Sequence, residues 1–348
     1  MKGVLYALLA ALLFGASTPL AKSLLPHVAP MLLAGLLYLG SGVGLAVFSL
    51  IRSRTGRLRS QEASLQRADW PWLAGAIAAG GIAAPMLLMW GLATTPASSA
   101  SLLLNLEGVL TAALAWFVFK ENFDKRIALG MALIAAGGLC LSWTGRPETG
   151  VPWSALAIVG ACLAWAIDNN LTRKVSAGDP VQIAMLKGLV AGSVNTVLAF
   201  AFGAKLPALP ALAATGLVGL IGYGVSLTLF VLALRHIGTA RTGAYFSIAP
   251  FVGAVIAFFL LGDKLTIGFG FAAVLMALGV WLHLTERHEH KHQHQPMEHD
   301  HLHAHDEHHQ HTHSADNPVG EPHSHPHRHE PLLHSHPHYP DIHHRHGH

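Results

Sequence analysis

Long apolar runs separated by short polar connections fill the first 285 residues of the chain. A helix that crosses a lipid bilayer needs about 20 mainly apolar residues, and several of these runs reach that length. The run from 70 to 106 is too long for one helix, and Thr94-Thr95-Pro96 divides it. The pattern predicts ten membrane-spanning helices, at residues 3–24, 30–51, 71–93, 97–119, 127–144, 153–172, 181–203, 210–234, 240–261 and 265–285.

The last 63 residues, 286–348, have a different composition. They contain 23 of the 26 histidines and seven of the 19 prolines, and they offer almost no apolar residues to bury. Such a segment cannot form a hydrophobic core of its own. The sequence therefore predicts an all-α integral membrane protein with a disordered, His-rich C-terminal tail.

Two segments of the chain recur in its second half. Residues 13–22 (LFGASTPLAK) align with 164–173 (AWAIDNNLTR), and 97–121 align with 240–264. Five is an odd number, so a second five-helix copy enters the membrane from the opposite side, and such inverted repeats are typical of transporters. We expect a first repeat at 1–145, a second at 150–285 and the tail at 286–348. The repetition also argues against a cleaved leader at 1–24.

The basic residues are distributed unevenly between the two sides of the predicted bundle. With the N-terminus inside, the cytoplasmic connections carry twelve Lys and Arg residues and the outer connections carry three. This bias predicts a protein of the inner membrane with both termini in the cytoplasm. The net charge of about +9 on residues 1–285 forms no basic groove with interleaved aromatic residues, so nucleic-acid binding is not expected.

The paired five-helix halves resemble the drug/metabolite transporter superfamily, and specifically its EamA-type family of ten-helix carriers. The similarity rests on Phe14-Gly15 and Trp165-Ala166 in the first and sixth helices, and on Glu121 and Asp263 after the fourth and ninth. It implies a carrier that works by alternating access and often exports small metabolites. Family members commonly have proline midway along the fourth helix, where this chain has Glu107.

Ionisable residues at membrane depth are costly and are candidates for function by default. Glu107 lies about ten residues into the fourth predicted helix, roughly 15 Å deep. A carboxylate that exchanges a proton for a cation would suit a proton-coupled carrier. A Glu107 that is hydrogen-bonded to Asn105, or to a backbone carbonyl at a helix break, would be merely structural. Asp168 and Lys187 lie at similar depths in the sixth and seventh helices. We expect them to form an ion pair, either as a gate or as the least costly way to bury two charges.

Neutral polar side chains and prolines complete the predicted transport site. Asn169 and Asn170 adjoin Asp168, and Asn195 and Tyr245 can supply neutral hydrogen bonds to a polar substrate. Proline interrupts helical hydrogen bonding, so Pro19 and Pro250 are predicted hinges that kink their helices. Lys22 is expected to extend from the first helix to the outer interface.

The tail is rich in residues that bind divalent metal ions. Neutral imidazole binds Zn²⁺, Ni²⁺, Co²⁺ and Cu²⁺, and alternate residues of an extended chain share one face. The predicted ligands are His288, His290, His292, His294, His299, His301, His303, His305, His308, His309, His311, His313, His323, His325, His327 and His329. Binding is expected without gain of helix or strand. The HExxH match at 288–292 lies in this tract and not on a buried helix, so we do not expect an enzyme.

Several functions remain open on these grounds. The first is a secondary transporter, most simply an exporter, that moves a small organic solute or a metal ion in exchange for protons. In the case of a metal ion, the His-rich tail would deliver the ion to the transporter. The second is a metabolite carrier that metal at the tail merely regulates. The third is a membrane-anchored metal buffer. No cofactor is required, and the lipid bilayer is the surrounding medium. The glycine-rich helices allow a homodimer, although GxxxG pairs such as Gly188 and Gly192 more often mediate packing within one protein.

Overall fold

The computed structural model describes residues 2–54, 65–118, 125–142, 153–176, 178–285, 289–293, 297–303, 323–329 and 333–337. The helices of the first half are α1 (Lys2–Leu24), α2 (Pro30–Arg54), α3 (Trp70–Ala76), α4 (Ala84–Thr94), α5 (Ala97–Leu103), α6 (Leu106–Phe117) and α7 (Lys125–Ser142). A 3₁₀ turn at Arg67–Asp69 precedes α3, and a π-helical segment, π1 (Ile77–Ala83), joins α3 to α4.

The remaining helices belong to the second half of the chain. It contains α8 (Trp153–Val175), α9 (Pro180–Ala201), α10 (Leu209–Val218), α11 (Ser226–Phe246), α12 (Ala249–Leu261) and α13 (Ile267–Leu284), with the π-helical segment π2 (Gly219–Val225) between α10 and α11. Within the described residues, six continuous helices are long and apolar enough to cross a bilayer: Lys2–Leu24, Pro30–Arg52, Arg67–Thr94, Trp153–Val175, Pro180–Ala201 and Leu209–His236. The membrane part is therefore helical, as the hydropathy pattern predicts.

Two predicted helices are interrupted near their middles. The predicted span 97–119 breaks at Leu104-Asn105, between α5 and α6. In the second half the apolar span ends at His236, and the rings of Phe230 and Phe246 lie 4.9 Å apart, so the chain reverses between these residues as the predicted connection at 235–239 requires; a further break falls at Ser247-Ile248. Pro250 therefore lies in the first turn of α12 and begins a helix, where its missing N–H costs nothing, instead of kinking a continuous one. Pro19 lies within an unbroken α1.

Glycines allow α2 and α9 to pack in close contact at the centre of the bundle. A Cβ atom on Gly188 would lie 2.7 Å from the Cα atom of Gly42 and 2.8 Å from the carbonyl oxygen of Tyr38. A Cβ atom on Gly192 would lie 2.9 Å from the Cα atom of Leu39. These separations are too short for any larger residue, so the GxxxG pair in α9 forms an internal helix contact.

The described parts of the tail are strands, where the sequence predicts disorder. They are β1 (Glu289–Gln293), β2 (Met297–His303), β3 (His323–His329) and β4 (Leu333–Pro337). β1 pairs antiparallel with β4, and β2 pairs antiparallel with β3. The alternation of histidine with other residues has the two-residue period of a strand, which explains how a chain without a core can still pair its backbone.

Candidate functional site

A central cavity lies between helices of the two halves. It is lined by Phe14, Tyr38, Ser41, Glu107, Trp165, Asp168, Asn169, Ala184, Lys187, Gly188, Gly222, Tyr223, Ser226, Leu227, Phe230 and Phe246. These residues come from α1, α2, α6, α8, α9, π2 and α11. The cavity thus combines aromatic side chains with the three predicted intramembrane charges.

The predicted ion pair between Asp168 and Lys187 is present. Lys187 Nζ donates to Asp168 Oδ1 and Oδ2 at 2.6 and 2.7 Å, and to Thr172 Oγ1 at 3.1 Å. Thr172 Oγ1 in turn donates to Asp168 Oδ1 at 2.7 Å. The exposed fractions of Asp168 and Lys187 are only 5% and 2%, so the two charges neutralise each other away from water.

Glu107 lies in the first turn of α6, directly after the helix break. Its Oε1 atom accepts a hydrogen bond of 2.7 Å from Asn169 Nδ2, and not from Asn105 as one structural alternative requires. Asn169 Nδ2 also lies 3.4 Å from Thr111 Oγ1, one turn further along α6. The half-buried carboxylate is therefore positioned on the cavity wall by a neutral amide from α8.

The π1 segment offers backbone carbonyl groups to side chains of neighbouring helices. The carbonyl oxygen of Gly80 accepts from Tyr38 Oη at 2.8 Å and from Trp165 Nε1 at 3.0 Å. The carbonyl oxygen of Gly81 accepts from Asn195 Nδ2 at 3.0 Å. A π-helical turn releases carbonyls from the regular hydrogen-bond ladder and often occurs at functional sites. Here it fixes two of the aromatic rings that line the cavity.

Substitution of Gly80 by alanine is expected to disrupt the ion pair. A Cβ atom at this position would collide with Cβ, Cγ and Oδ2 of Asp168, whose carboxylate is held in place by Lys187. We expect Gly80→Ala to lower the free energy of unfolding by about 1–3 kcal/mol, as overpacking of a buried site does, measured by thermal unfolding in detergent. Gly160→Ala is the control, because a Cβ there meets Leu87 Cδ1 at an ordinary 3.4 Å. Equal stability of the Gly80→Ala and Gly160→Ala variants would contradict the close contact between Gly80 and the side chain of Asp168.

Four predicted site residues lie outside the cavity lining. Asn105 is buried between the carbonyl oxygen of Leu102, at 3.3 Å, and the sulfur of Met276, at 3.9 Å. Asn170 donates to the carbonyl oxygen of Ala166 at 2.9 Å, and Asn195 donates to the carbonyl oxygen of Gly81 in π1. These are structural hydrogen bonds. At the fourth position, Tyr245, the lining residue is its neighbour Phe246.

The ends of α4 and α5 near the chain reversal at 95–96 are fastened by two charged residues. Lys22 Nζ donates to the carbonyl oxygens of Leu92, Ala93 and Thr95 at 2.6, 3.1 and 3.1 Å. Asp263 Oδ2 accepts from the backbone N–H of Ser98 at 2.8 Å. Lys22 thus caps the C-terminus of α4, where a cation is favoured, and its extension to the outer interface stays a prediction.

The described residues contain no cluster of three or more His, Cys, Asp or Glu side chains that could hold a metal ion. Seven of the predicted tail ligands lie outside the described residues: His288, His294, His305, His308, His309, His311 and His313. The others belong to the strands, whose backbone register alone is described.

The sequence profile of the EamA-like transporter family matches this chain twice, at residues 1–143 and 152–285. The chain belongs to the EamA-like transporter family. It is therefore a multi-pass membrane transporter of a small molecule, and the two matches correspond to the two halves of the bundle described above.

Several proteins of this family are similar to the chain over most of its length. An uncharacterised transporter of Methanothermobacter thermautotrophicus is 27% identical over 293 residues, which are 80% of this chain and 85% of that one. The uncharacterised inner membrane transporter YedA of Escherichia coli is 25% identical over 73% of this chain and 83% of its own length. A probable amino-acid metabolite efflux pump of Salmonella typhimurium is 26% identical over 80% of this chain and 93% of its own.

A crystal structure supports the fold alone. It matches with a TM-score of 0.62 at 17% sequence identity, and covers 81% of this chain and 95% of the other. The membrane-spanning helices and the similarity to YedA support a multi-pass protein of the inner membrane.

Most of the aromatic lining is not predicted by the sequence pattern. Phe14 and Trp165 were noted only as family positions, and Tyr38, Tyr223, Phe230 and Phe246 were not singled out. Phe14 and Trp165 are aligned in the repeat, so the repeat itself held a signal for two of these rings. The other four are scattered aromatic residues within apolar helices, where nothing local separates a lining residue from one that contacts lipid.

Proposed function

We propose that the protein is a secondary transporter that exports a small solute across the inner membrane by alternating access, with Glu107 as its proton-exchange site. The observation that carries the proposal is the position of Glu107 on the wall of a central cavity that also contains a neutralised ion pair. A carboxylate at membrane depth that contacts an amide, and not a cation, can bind a proton and a substrate in turn.

Matched irregularities in the two halves support an inverted repeat. In each half the third helix contains a π-helical segment, Ile77–Ala83 or Gly219–Val225, and the fourth is broken, at 104–105 or 247–248. Interrupted helices at corresponding positions are the best indicator of a transport site between inverted repeats. Both Glu107 and Phe246 lie next to a break and line the cavity.

Unequal contacts at the two ends of the bundle support alternating access. The cavity extends toward the connection between α8 and α9, since Asp168 and Lys187 lie in the halves of α8 and α9 at that end. Phe230 lies in the corresponding half of the continuous span Leu209–His236. At the other end, Lys22 and Asp263 connect α1 and α12 to the α4–α5 reversal. With the N-terminus in the cytoplasm, as the charge bias predicts, the cavity faces inward and this closed end faces outward.

Flux into proteoliposomes tests the proposal. The full chain is reconstituted, a pH gradient is imposed, and flux is measured for amino acids, organic amines, organic acids and the ions Zn²⁺, Ni²⁺ and Co²⁺. We expect gradient-driven flux of at least one organic solute, because six of the sixteen residues that line the cavity are aromatic. Flux no greater than in protein-free liposomes for every solute would contradict the proposal.

The tail is a second candidate for function, as a site for divalent metal. The strand register places histidine opposite histidine five times, in the pairs 290/336, 292/334, 299/327, 301/325 and 303/323. Neighbouring pairs bring four histidine positions together, and four ligands are the usual set for Zn²⁺. This register favours metal capture or metal sensing beside the transporter.

Deletion of 286–348 distinguishes these roles. We expect the shortened chain to lose binding of Zn²⁺ and Ni²⁺ in calorimetry at pH 7.5, while organic-solute flux persists, because the cavity lies entirely within the helical part. Below about pH 6 the full chain should also release the metal, since protons compete for imidazole. Loss of all activity on deletion would favour a metal buffer, and unchanged metal binding would exclude the tail as the site.

A further inference from the structure

We infer that the transported solute is an amphipathic organic cation, an ammonium group on an aromatic or otherwise apolar body, bound with its charge at Glu107 and its body among the cavity's aromatic rings. This inference rests on the proposed transport function and adds the chemical class of the substrate. It depends on the charge balance of the cavity and on the arrangement of its rings.

The aromatic rings form one connected surface around Phe14. The ring centroid of Phe14 lies 5.9 Å from Trp165, 5.8 Å from Tyr223 and 5.3 Å from Phe246. Tyr223 continues to Tyr38 at 5.2 Å, and Phe246 continues to Phe230 at 4.9 Å. A surface of this extent favours a ligand with a flat or bulky apolar body, and the electron-rich faces of such rings also attract a cation.

The lining carries one carboxylate that no cation offsets. Asp168 and Lys187 neutralise each other through two short hydrogen bonds, and Thr172 bonds to both. Glu107, in contrast, has a neutral partner, Asn169. When Glu107 is ionised, the lining therefore has one net negative charge, and a ligand with one positive charge complements it.

The same balance disfavours other substrate classes. An anion would face Glu107 without a free cation, because Lys187 is held by Asp168. The carboxylate of a zwitterionic amino acid would meet the same difficulty. A bare divalent metal ion would require several strong ligands, and the other carboxylate of the described lining, Asp168, is already paired with Lys187.

A proton and an ammonium group compete for the same carboxylate. The ionisable groups that face Glu107 are Asp168 and Cys162 of α8, Lys187 of α9 and Tyr38 of α2. Of these, Asp168 and Lys187 form a neutral pair. The Tyr38 hydroxyl donates to the carbonyl oxygen of Gly80, and the Cys162 thiol lies 3.7 Å from the carbonyl oxygen of Leu103, so each is a neutral hydrogen-bond donor that adds no charge. One cation should therefore displace one proton from Glu107, which is the exchange that an antiporter requires.

Calorimetry on the purified full-length protein at pH 7.5 tests the substrate class. The probes are 2-phenylethylamine, the neutral 2-phenylethanol and the anionic 3-phenylpropionate, which share one aromatic body. We expect the amine to bind about ten- to a hundredfold more tightly than the alcohol, as a charge-assisted contact does, and with release of a proton. Equal binding of amine and alcohol, or preference for the acid, would overturn the inference, and this comparison needs no variant.

Two variants sharpen the result. Glu107→Gln should bind the amine and the alcohol alike and release no proton, while Asp69→Asn, an acid-to-amide change outside the cavity, should behave as wild type. A Glu107→Gln variant that is folded, keeps its alcohol binding and retains the full preference for the amine would also overturn the inference.

Flux separates this inference from the proposed function. The probe is trimethyl(2-phenylethyl)ammonium, whose permanent charge prevents passive diffusion across proteoliposomes. Flux of this cation driven by a pH gradient supports both ideas. Preferential amine binding without flux of any solute would refute transport and leave the ligand class intact, whereas flux of an organic acid or amino acid without preference for the amine would refute the ligand class alone.

Discussion

Replacement of Glu107 by glutamine is expected to abolish flux driven by a pH gradient, reducing it to the level of protein-free liposomes for every solute that the wild type moves. Glutamine keeps the size of the side chain and its hydrogen bond to Asn169, which spans 2.7 Å in the wild type. It cannot release or bind a proton near neutral pH, so solute movement loses its coupling to the gradient. The measurement is gradient-driven flux in proteoliposomes that contain equal amounts of each protein.

Two further variants serve as controls for this result. Glu107→Asp keeps a titratable group in a shorter side chain and should retain part of the flux with an altered pH profile. Asp69→Asn removes a carboxylate outside the cavity and should leave the flux unchanged. Normal coupled flux in Glu107→Gln, with the protein monodisperse in detergent, would exclude Glu107 as the proton site.

Hydropathy predicted the helical membrane part well, because the bilayer demands long apolar helices whatever their sequence. It did not predict where the helices break. Leu104-Asn105 contains neither glycine nor proline, so nothing local marks that break, whereas the break at Ser247-Ile248 lies just before Pro250. The connection at 235–239 was predictable because Arg235 and His236 interrupt the apolar run, and the 4.9 Å contact between the rings of Phe230 and Phe246 requires the chain to reverse there.

Some features of the candidate site were also predictable from the sequence, and others were not. The ion pair was predictable because Asp168 and Lys187 lie at equal depths on consecutive helices, and two buried charges of opposite sign must find each other. The role of Lys22 was not, since its partners are backbone carbonyls about 70 residues away, which no side-chain pattern reveals. The bond from Asn169 to Glu107 likewise joins residues 62 positions apart.

Replacement of Lys187 by methionine is expected to have the largest effect on stability. Methionine fills a similar volume but leaves Asp168 buried, 5% exposed, without a cation. Removal of one partner from a buried pair costs about 3–5 kcal/mol of unfolding free energy. Thermal unfolding in detergent measures the loss, and the reciprocal variant Asp168→Asn should also be destabilised because it leaves Lys187 unpaired.

The double variant Asp168→Asn/Lys187→Met decides what the pair is for. With both charges removed, no unpaired charge remains, and we expect most of the lost stability to return, since neutral replacements of buried pairs are often tolerated. If flux returns with stability, the pair serves only to bury two charges at low cost. If the double variant is stable but does not transport, the pair takes part in the conformational cycle. It joins α8 to α9 beside the cavity, so it would break or move when the cavity changes from inward-facing to outward-facing.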